Sequence, residues 1–407
     1  MPQVCSELNV PYKNIGSFVV AYSEQEMQTL NSLFERGVSN LVQNMRIVRR
    51  DELRRMEPQI SPEVIGALWA PTAGIVCPYE LTLAAVQNAV NNGAQLIRGC
   101  KVLAIKDDGE YFTLETSSET VQARYVINAA GVHSDSVARM IGDDSFKITP
   151  RKGEYYLLDK SENEKIKHVI FSCPTEKGQG ILLSPTVDGN VLAGPTALDV
   201  ADKGDNETTQ DGLVQISANA ARAIPSISLR NTITSFAGLR SHTNLAKSDF
   251  IIGPSEKNGR FINVAGIESP GLSAAPGIGR YVKDIMVELT GASIKDDFDP
   301  IRPAPVRFRE MSAEERSELI KRDKRYGRIV CRCETVTEGE IIDAVKGPVG
   351  ALDMDGIKRR TRAGMGRCQS GFCGSKVVEI LSRELDKPLN EITKFGGDSK
   401  IIYERTK

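Results

Sequence analysis

Four of the eight cysteines, Cys331, Cys333, Cys368 and Cys373, fall within 43 residues of the 407-residue chain. Their spacing is Cys-x-Cys, then 34 residues, then Cys-x4-Cys. Two close thiolate pairs can enclose a tetrahedral metal ion or the two irons of a [2Fe–2S] cluster. Structural zinc uses a wider first pair, so the one-residue gap favours the cluster, with zinc and a redox dithiol as alternatives. Lys358, Arg359, Arg360, Arg362 and Arg367 precede the second pair with no acid among them. They form either a solvated basic turn or a set of cations that offsets anionic sulfur and raises its reduction potential. Gly364, Gly366, Gly371 and Gly374 leave permissive backbone whose amides can approach the sulfurs. Cys5, Cys77, Cys100 and Cys173 are scattered singly and suggest no disulfide framework.

A second group lies upstream. Arg240 sits in Gly-Leu-Arg-Ser-His-Thr, and its planar fork can clamp a carboxylate or phosphate or serve a surface ion pair. Of only three histidines, His242 could take a proton from a substrate hydroxyl as general base, although a structural role is commoner. His133 lies two residues after Gly131 and either packs or bonds a phosphate, and His168 is expected at the surface. Arg151, Lys152 and Tyr155 either line a pocket floor or are ordinary strand-edge residues.

The elements that must position these groups follow from pattern. With 52 basic and 53 acidic residues the net charge is −1, and 40% apolar with 26% charged residues is ordinary globular composition. Disordered, collagenous and nucleic-acid-binding chains are disfavoured. No apolar run reaches the roughly 18 residues of a spanning helix, and the start lacks a secretory pattern, which predicts a cytoplasmic protein. Strands are expected at Ile15–Ala21, Gln95–Ile105, Phe112–Thr116, Val121–Asn128 and Phe261–Gly266. Helices are expected from Ser23 to about Gly37, where Ser23 and Glu26 suggest a capping box, from Tyr79 to Asn91, and after Gly271 to about Thr290. Residues 146–255 read as a mostly antiparallel sheet with a helix near 209–223. Seventeen charged residues in the 31 from Lys295 to Arg325, with three prolines, read as a charged linker over 296–325.

The sequence Arg362-Ala-Gly-Met-Gly-Arg-Cys368-x4-Cys373 after Cys331-x-Cys333 resembles the bacterioferritin-associated-ferredoxin-like [2Fe–2S] domain over about residues 326–395. That resemblance implies Cys331, Cys333, Cys368 and Cys373 as cluster ligands. Residues 1–295 resemble the D-amino-acid-oxidase-like FAD-dependent oxidoreductases, most closely the anaerobic-type glycerol-3-phosphate dehydrogenase group. The resemblance rests on Ala70–Tyr79, Asn128-Ala-Ala-Gly131, Pro150–Tyr155, Ala237-Gly-Leu-Arg240 and Asn263–Ser273. It implies an α/β (α+β) fold: a Rossmann-like FAD domain, an antiparallel substrate subdomain at about 146–255, and a small helical iron–sulfur domain. It also implies that Val102 contacts the adenine end of the cofactor. Ala129, Ala130 and Gly131 would let the dinucleotide lie against the backbone. Gly266, Ile267, Gly271, Leu272 and Ser273 would lead into a helix whose free N–H groups face the flavin.

The opening G-x-G-x-x-G of that family is absent from the sequence, and Met1-Pro2-Gln3 matches the interior of family members. This predicts an N-terminally truncated flavoenzyme with half a FAD site, weak FAD binding and an apolar sheet edge. The expected activity is dehydrogenation of a small anionic alcohol such as glycerol 3-phosphate, with Arg240 and His242 as catalytic candidates. Electrons would pass through flavin and a [2Fe–2S] cluster to a redox partner protein or subunit. Ser241-His242 stand where the family usually has proline after Gly-Leu-Arg, which keeps 2-hydroxy acids and amino or imino acids as rival substrates. A flavin-free electron-transfer subunit is the non-enzymatic rival.

Overall fold

A computed structural model describes residues 1–174, 180–245 and 249–404. The chain forms two compact units. The first comprises Met1, Asn14–Ile75 and Ile97–Asp296; the second comprises Pro2–Lys13, Val76–Leu96 and Asp297–Lys407. No helix among the described residues is long and apolar enough to cross a membrane.

The first unit is built on a nine-stranded sheet. Its long central pair is Ile148–Leu158 against Thr232–Thr243, antiparallel over nearly their full length. The sheet continues through Val191–Gly194, Leu182–Pro185 and Val169–Ser172. It then takes in three strands from the N-terminal region, Ser17–Ala21, Gly66–Ala70 and Arg46–Arg49. The substrate sheet expected within 146–255 thus draws strands from outside that range. Helix Gln210–Ala223 packs on one side of the sheet, burying Ile216, Ala220 and Ala223 with Leu158, Val191 and Leu183. Helix Glu24–Ser39 starts where Ser23 accepts the Glu26 N–H, and the Glu26 carboxylate accepts the Tyr22 N–H.

A three-stranded sheet carries the two short elements flanking the expected cofactor loops. Phe261–Ala265 runs parallel to Val126–Asn128 and antiparallel to Ile251–Pro254. Val126–Asn128 is its edge, with Ile127 46% exposed. Helix Gly271–Thr290 follows, and Leu272, Tyr281, Val287 and Leu289 on it are exposed.

Three expectations are corrected. The segment read as one strand over 121–128 is two: Thr120–Ala123 pairs with Phe112–Thr116, and Val126–Asn128 joins the other sheet. With no glycine or proline between Val121 and Asn128, nothing in the sequence marks the sheet change at Arg124-Tyr125. The strand expected from Gln95 begins only at Val102, because Gly99 adopts φ +65 and takes the backbone out of extended geometry. His168 is not a free surface group: its Nδ1 lies 2.9 Å from Glu57 Oε2, and its ring packs edge-on against Phe18 and Trp69.

In the second unit a two-stranded ribbon, Ile329–Cys331 and Val336–Thr337, precedes helices Glu338–Lys346, Met354–Thr361 and Gly374–Leu385. Thr337 and Glu340 form a capping box at the first of these. Cys331, Val336, Ile341, Ile357, Cys373, Val377 and Leu381 share one core. Residues 297–325, read as a linker, lie inside this unit. Arg302 and Phe308 are buried there, and helix Ala313–Arg322 carries its own capping box from Ser312 and Glu315.

Candidate functional site

Directly opposed residues of an antiparallel pair project to the same face. Thr149, Arg151, Gly153 and Tyr155 oppose His242, Arg240, Gly238 and Phe236, so these eight share one face of the central pair. Tyr155 and Phe236 stack with centroids 5.2 Å apart. Lys152 projects to the other face, where it is buried against Asp205 at 2.7 Å; of the three pocket-floor candidates, only Arg151 and Tyr155 share the face of Arg240. Gly238 opens a gap between Phe236 and Arg240, since a Cβ there would meet nothing within 4 Å.

Arg240 is fixed from behind. Its Nη2 donates to the Thr196 carbonyl at 2.7 Å and its Nε to the Arg151 carbonyl at 3.4 Å. Nη1 has no partner among the described residues. Burial lowers the guanidinium's pKa from its ordinary value, opposed by Tyr155 and Glu268. Arg151 is held in two-pronged fashion by Asp199, at 2.6 and 3.2 Å. His242 Nδ1 lies 2.8 Å from Glu268 Oε1, and Glu268 comes from the loop after strand Phe261–Ala265.

The carboxyl ends of two parallel strands meet the same place. Asn128 is register partner of Asn263, so Ala129-Ala130-Gly131 and Gly266-Ile267 leave neighbouring strands side by side, at the edge where open α/β sheets hold ligands. A Cβ on Gly131 would lie 3.9 Å from Ser241 Oγ, and one on Gly266, at φ +66, would overlap Thr243 Cγ2. Helix Gly271–Thr290 begins here with no side-chain cap and no acid in its first turn, bringing Gly271, Leu272 and Ser273 to the same edge. The structure does not bring Val102 there. It packs with Ile105, Phe112, Val126 and Phe261, at the opposite end of the two parallel strands.

In the second unit the four cysteines fall into two pairs. Cys333 and Cys368 have sulfurs 3.7 Å apart. The Cys373 thiol bonds Cys331, which with the Gly364 and Glu334 N–H groups holds the Cys331 thiol below its ordinary pKa, while Cys373 is pushed up. Gly366 must be glycine, because a Cβ would overlap Cys333 Cβ. The basic segment is partly committed: Arg362 binds buried Glu334 at 2.8 Å, Arg360 donates to the Val349 and Gly356 carbonyls, and Arg359 lies 3.5 Å from Asp355.

Residues 2–285 match the FAD dependent oxidoreductase family, and residues 329–383 match the BFD-like [2Fe-2S] binding domain. The chain belongs to the FAD-dependent oxidoreductases. This oxidoreductase is 45% identical over 406 residues to a glycerol 3-phosphate dehydrogenase of Caloramator mitchellensis, covering 100% of the chain and 84% of that relative. It is 31% identical over 287 residues to a glycerol 3-phosphate oxidase of Mycoplasma genitalium, covering 69% and 74%. The solved L-α-glycerophosphate oxidase of Mycoplasma pneumoniae with FAD bound superposes with TM-score 0.68 at 28% identity, over 73% of this chain and 78% of that one.

The oxidoreductase's own residues fit an iron–sulfur cluster and the part of a FAD site that lies at the strand ends. Three buried side-chain oxygens, Asn128 Oδ1 and Thr243 Oγ1 at strand ends and Ser134 Oγ at the start of the following helix, lack hydrogen-bond partners among the described residues, which suits a bound group rich in donors and acceptors. The 3.7 Å sulfur separation of Cys333 and Cys368 matches the edge of a tetrahedral thiolate site, about 3.8 Å for metal–sulfur bonds of about 2.3 Å. With the hydrogen-bonded pair Cys331 and Cys373, there is one pair of thiols for each of two irons. Sequence reasoning missed Glu268, Asp199 and the opening at Gly238. Glu268 lay in a quoted segment, but only the fold brings it to His242.

Proposed function

We propose that the chain oxidises a small anionic alcohol, glycerol 3-phosphate first, on the face shared by Tyr155, Gly238, Arg240 and His242. Electrons then leave through its iron–sulfur unit to a partner protein. The observation that carries this reading is the ordered pair His242–Glu268 two residues along the strand from the Arg240 guanidinium, beside the open space at Gly238. Arg240 binds the substrate phosphate through its free Nη1 edge, with Thr196 and Arg151 carbonyls fixing the guanidinium plane. Glu268 accepts from His242 Nδ1–H, which leaves Nε2 as the acceptor for the substrate hydroxyl proton. Ala129, Ala130, Gly131, Gly266, Ile267, Gly271, Leu272 and Ser273 would hold FAD, and Cys331, Cys333, Cys368 and Cys373 the [2Fe–2S] cluster. When bound, FAD accepts the hydride and the cluster carries electrons one at a time.

Dye-linked turnover tests the reading. Glycerol 3-phosphate should reduce the dye with a kcat/KM at least tenfold above 2-hydroxyglutarate and proline. The reverse order would assign Arg240 to a carboxylate instead, and no turnover with any of them would overturn the reading.

A further inference from the structure

The two cysteine pairs differ in exposure. Cys331 and Cys373 are 1% and 2% exposed within the core of the second unit. Cys333 is exposed and Cys368 half-buried. With their sulfurs 3.7 Å apart, Cys333 and Cys368 form the outward edge of the quartet, so the residues covalently next to them surround that edge. Arg332 precedes Cys333 and Arg367 precedes Cys368; both side chains are exposed and neither makes an ion pair among the described residues. Phe372, in the loop joining Cys368 to Cys373, is 86% exposed. Lys376 is exposed a turn later. From Lys358 to Val378 there are six Lys and Arg and no Asp or Glu. The neighbouring acid, Glu334, is buried and bound by Arg309 and Arg362, so it leaves Arg332 unneutralised.

An 86% exposed phenylalanine in a unit where exposed Arg332 and Arg367 make no ion pair among the described residues combines an apolar anchor with charge of one sign. Such a surface draws an oppositely charged partner and fixes its approach. We propose that the outward edge formed by Arg332, Cys333, Arg367, Cys368 and Phe372 is the docking surface for an acidic electron-carrier protein. Phe372 is the anchor and Arg332 and Arg367 are the steering charges. A second copy of this chain is a poor occupant. A two-fold contact sets a patch against itself, which would bring like charges together. The partner's acids instead meet Arg332 and Arg367 beside the thiol pair nearest solvent, the shortest way out for an electron from this unit.

The proposal rests on the reading that electrons leave through the iron–sulfur unit, and the test keeps the two apart. The probe is a purified acidic flavodoxin titrated into the full chain loaded with its cofactors, followed by calorimetry at low and high salt. Binding should weaken at least tenfold from about 20 to about 200 mM salt as the exposed charges are screened. It should weaken at least tenfold in R332E/R367E and severalfold in F372A, while visible absorption and iron content stay as in the parent. Absence of binding at low salt would overturn the proposal. So would an unchanged affinity in both variants, equal binding of a basic cytochrome c, or a concentration-dependent dimer abolished by F372A. Flavodoxin that binds as expected but is not reduced after substrate addition would leave the docking surface standing and overturn the electron path.

Discussion

His242 Nδ1 lies 2.8 Å from Glu268 Oε1, linking the end of strand Thr232–Thr243 to the loop after strand Phe261–Ala265. The contact joins the nine-stranded sheet to the loop that leaves the three-stranded sheet. A histidine with one ring nitrogen committed to a carboxylate has its tautomer and ring plane fixed, which a general base needs.

H242N should lower kcat by roughly 100-fold or more, the usual range for a lost general base, with KM changed little. E268Q should lower kcat by roughly tenfold or more through loss of ring orientation. The double variant should be little worse than H242N, because the two act as one unit. Steady-state kinetics on all three checks this; additive losses would refute the coupling.

The proposed role of Arg240 is in binding. Charge-assisted hydrogen bonds contribute about 1.5–3 kcal/mol, so R240M should raise KM for an anionic substrate by roughly 10- to 150-fold while kcat falls less. R240K should recover only part of this, since a point charge cannot replace the fork held by the Thr196 and Arg151 carbonyls.

Two glycines should respond oppositely to substitution. A Cβ at Gly238 meets nothing within 4 Å, so G238A should melt within a degree or so of the parent, and G238V should raise KM by narrowing the gap. At Gly266 the backbone has φ +66 and a Cβ would overlap Thr243 Cγ2, so G266A should destabilise by about 1–3 kcal/mol. Thermal melts paired with kinetics separate the two effects.

Much of this was legible in the sequence. The cysteine spacing pointed to the second site, helix Glu24–Ser39 starts at its Ser23 cap, and helices Pro78–Asn91, Gln210–Ala223 and Gly271–Thr290 lie where the apolar pattern puts them. What was hidden depends on tertiary pairing. Thr120–Ala123 and Val126–Asn128 look continuous because no turn residue interrupts Val121-Gln-Ala-Arg-Tyr-Val-Ile127, and only their partner strands separate them. Glu268 reads as a loop acid until register places it against His242, 26 residues away. Val102, expected at the adenine end of the cofactor, has its side chain against an apolar cluster at the far strand ends, a placement that only the fold gives.

Acid should unfold the first unit through its buried carboxylates. Burial pushes Asp135 and Asp143 up, but hydrogen bonds outweigh it and hold both below the usual carboxylate range. Asp135 is bonded by Lys203 and the Ile148 N–H, and Asp143 by Ser145, Ser255 and Asn263. A folded pKa below the unfolded value of about 3.9 gives stability that is complete above that value and lost as pH falls through the folded one. Urea midpoints should therefore hold steady down to about pH 5 and drop below about pH 4. D143N should have a lower midpoint at neutral pH and a shallower acid decline. An unchanged decline would place the acid sensitivity elsewhere.

Iron binding and folding of the second unit should be coupled, and the two cysteine pairs should separate the contributions. Cys331 and Cys373 are core residues at 1% and 2% exposure, whereas Cys333 is exposed. Each cysteine variant should lose iron, because a cluster needs all four thiolates. Since metal binding energy is folding energy, chelation of the parent should lower the melting transition of this unit. In the chelated state C333S should melt with the parent, as its hydroxyl faces water. C331S puts a shorter, more polar group among Val336, Ile341 and Leu381, where it reaches the Cys373 thiol and the Gly364 and Glu334 N–H groups that bond the native sulfur less well, and it should cost a further ~1–3 kcal/mol. Calorimetry on chelated and loaded samples, with iron and acid-labile sulfide measured alongside, checks both halves. Equal melting of chelated C331S and C333S would mean that the inward pair serves the metal alone and adds nothing to the core.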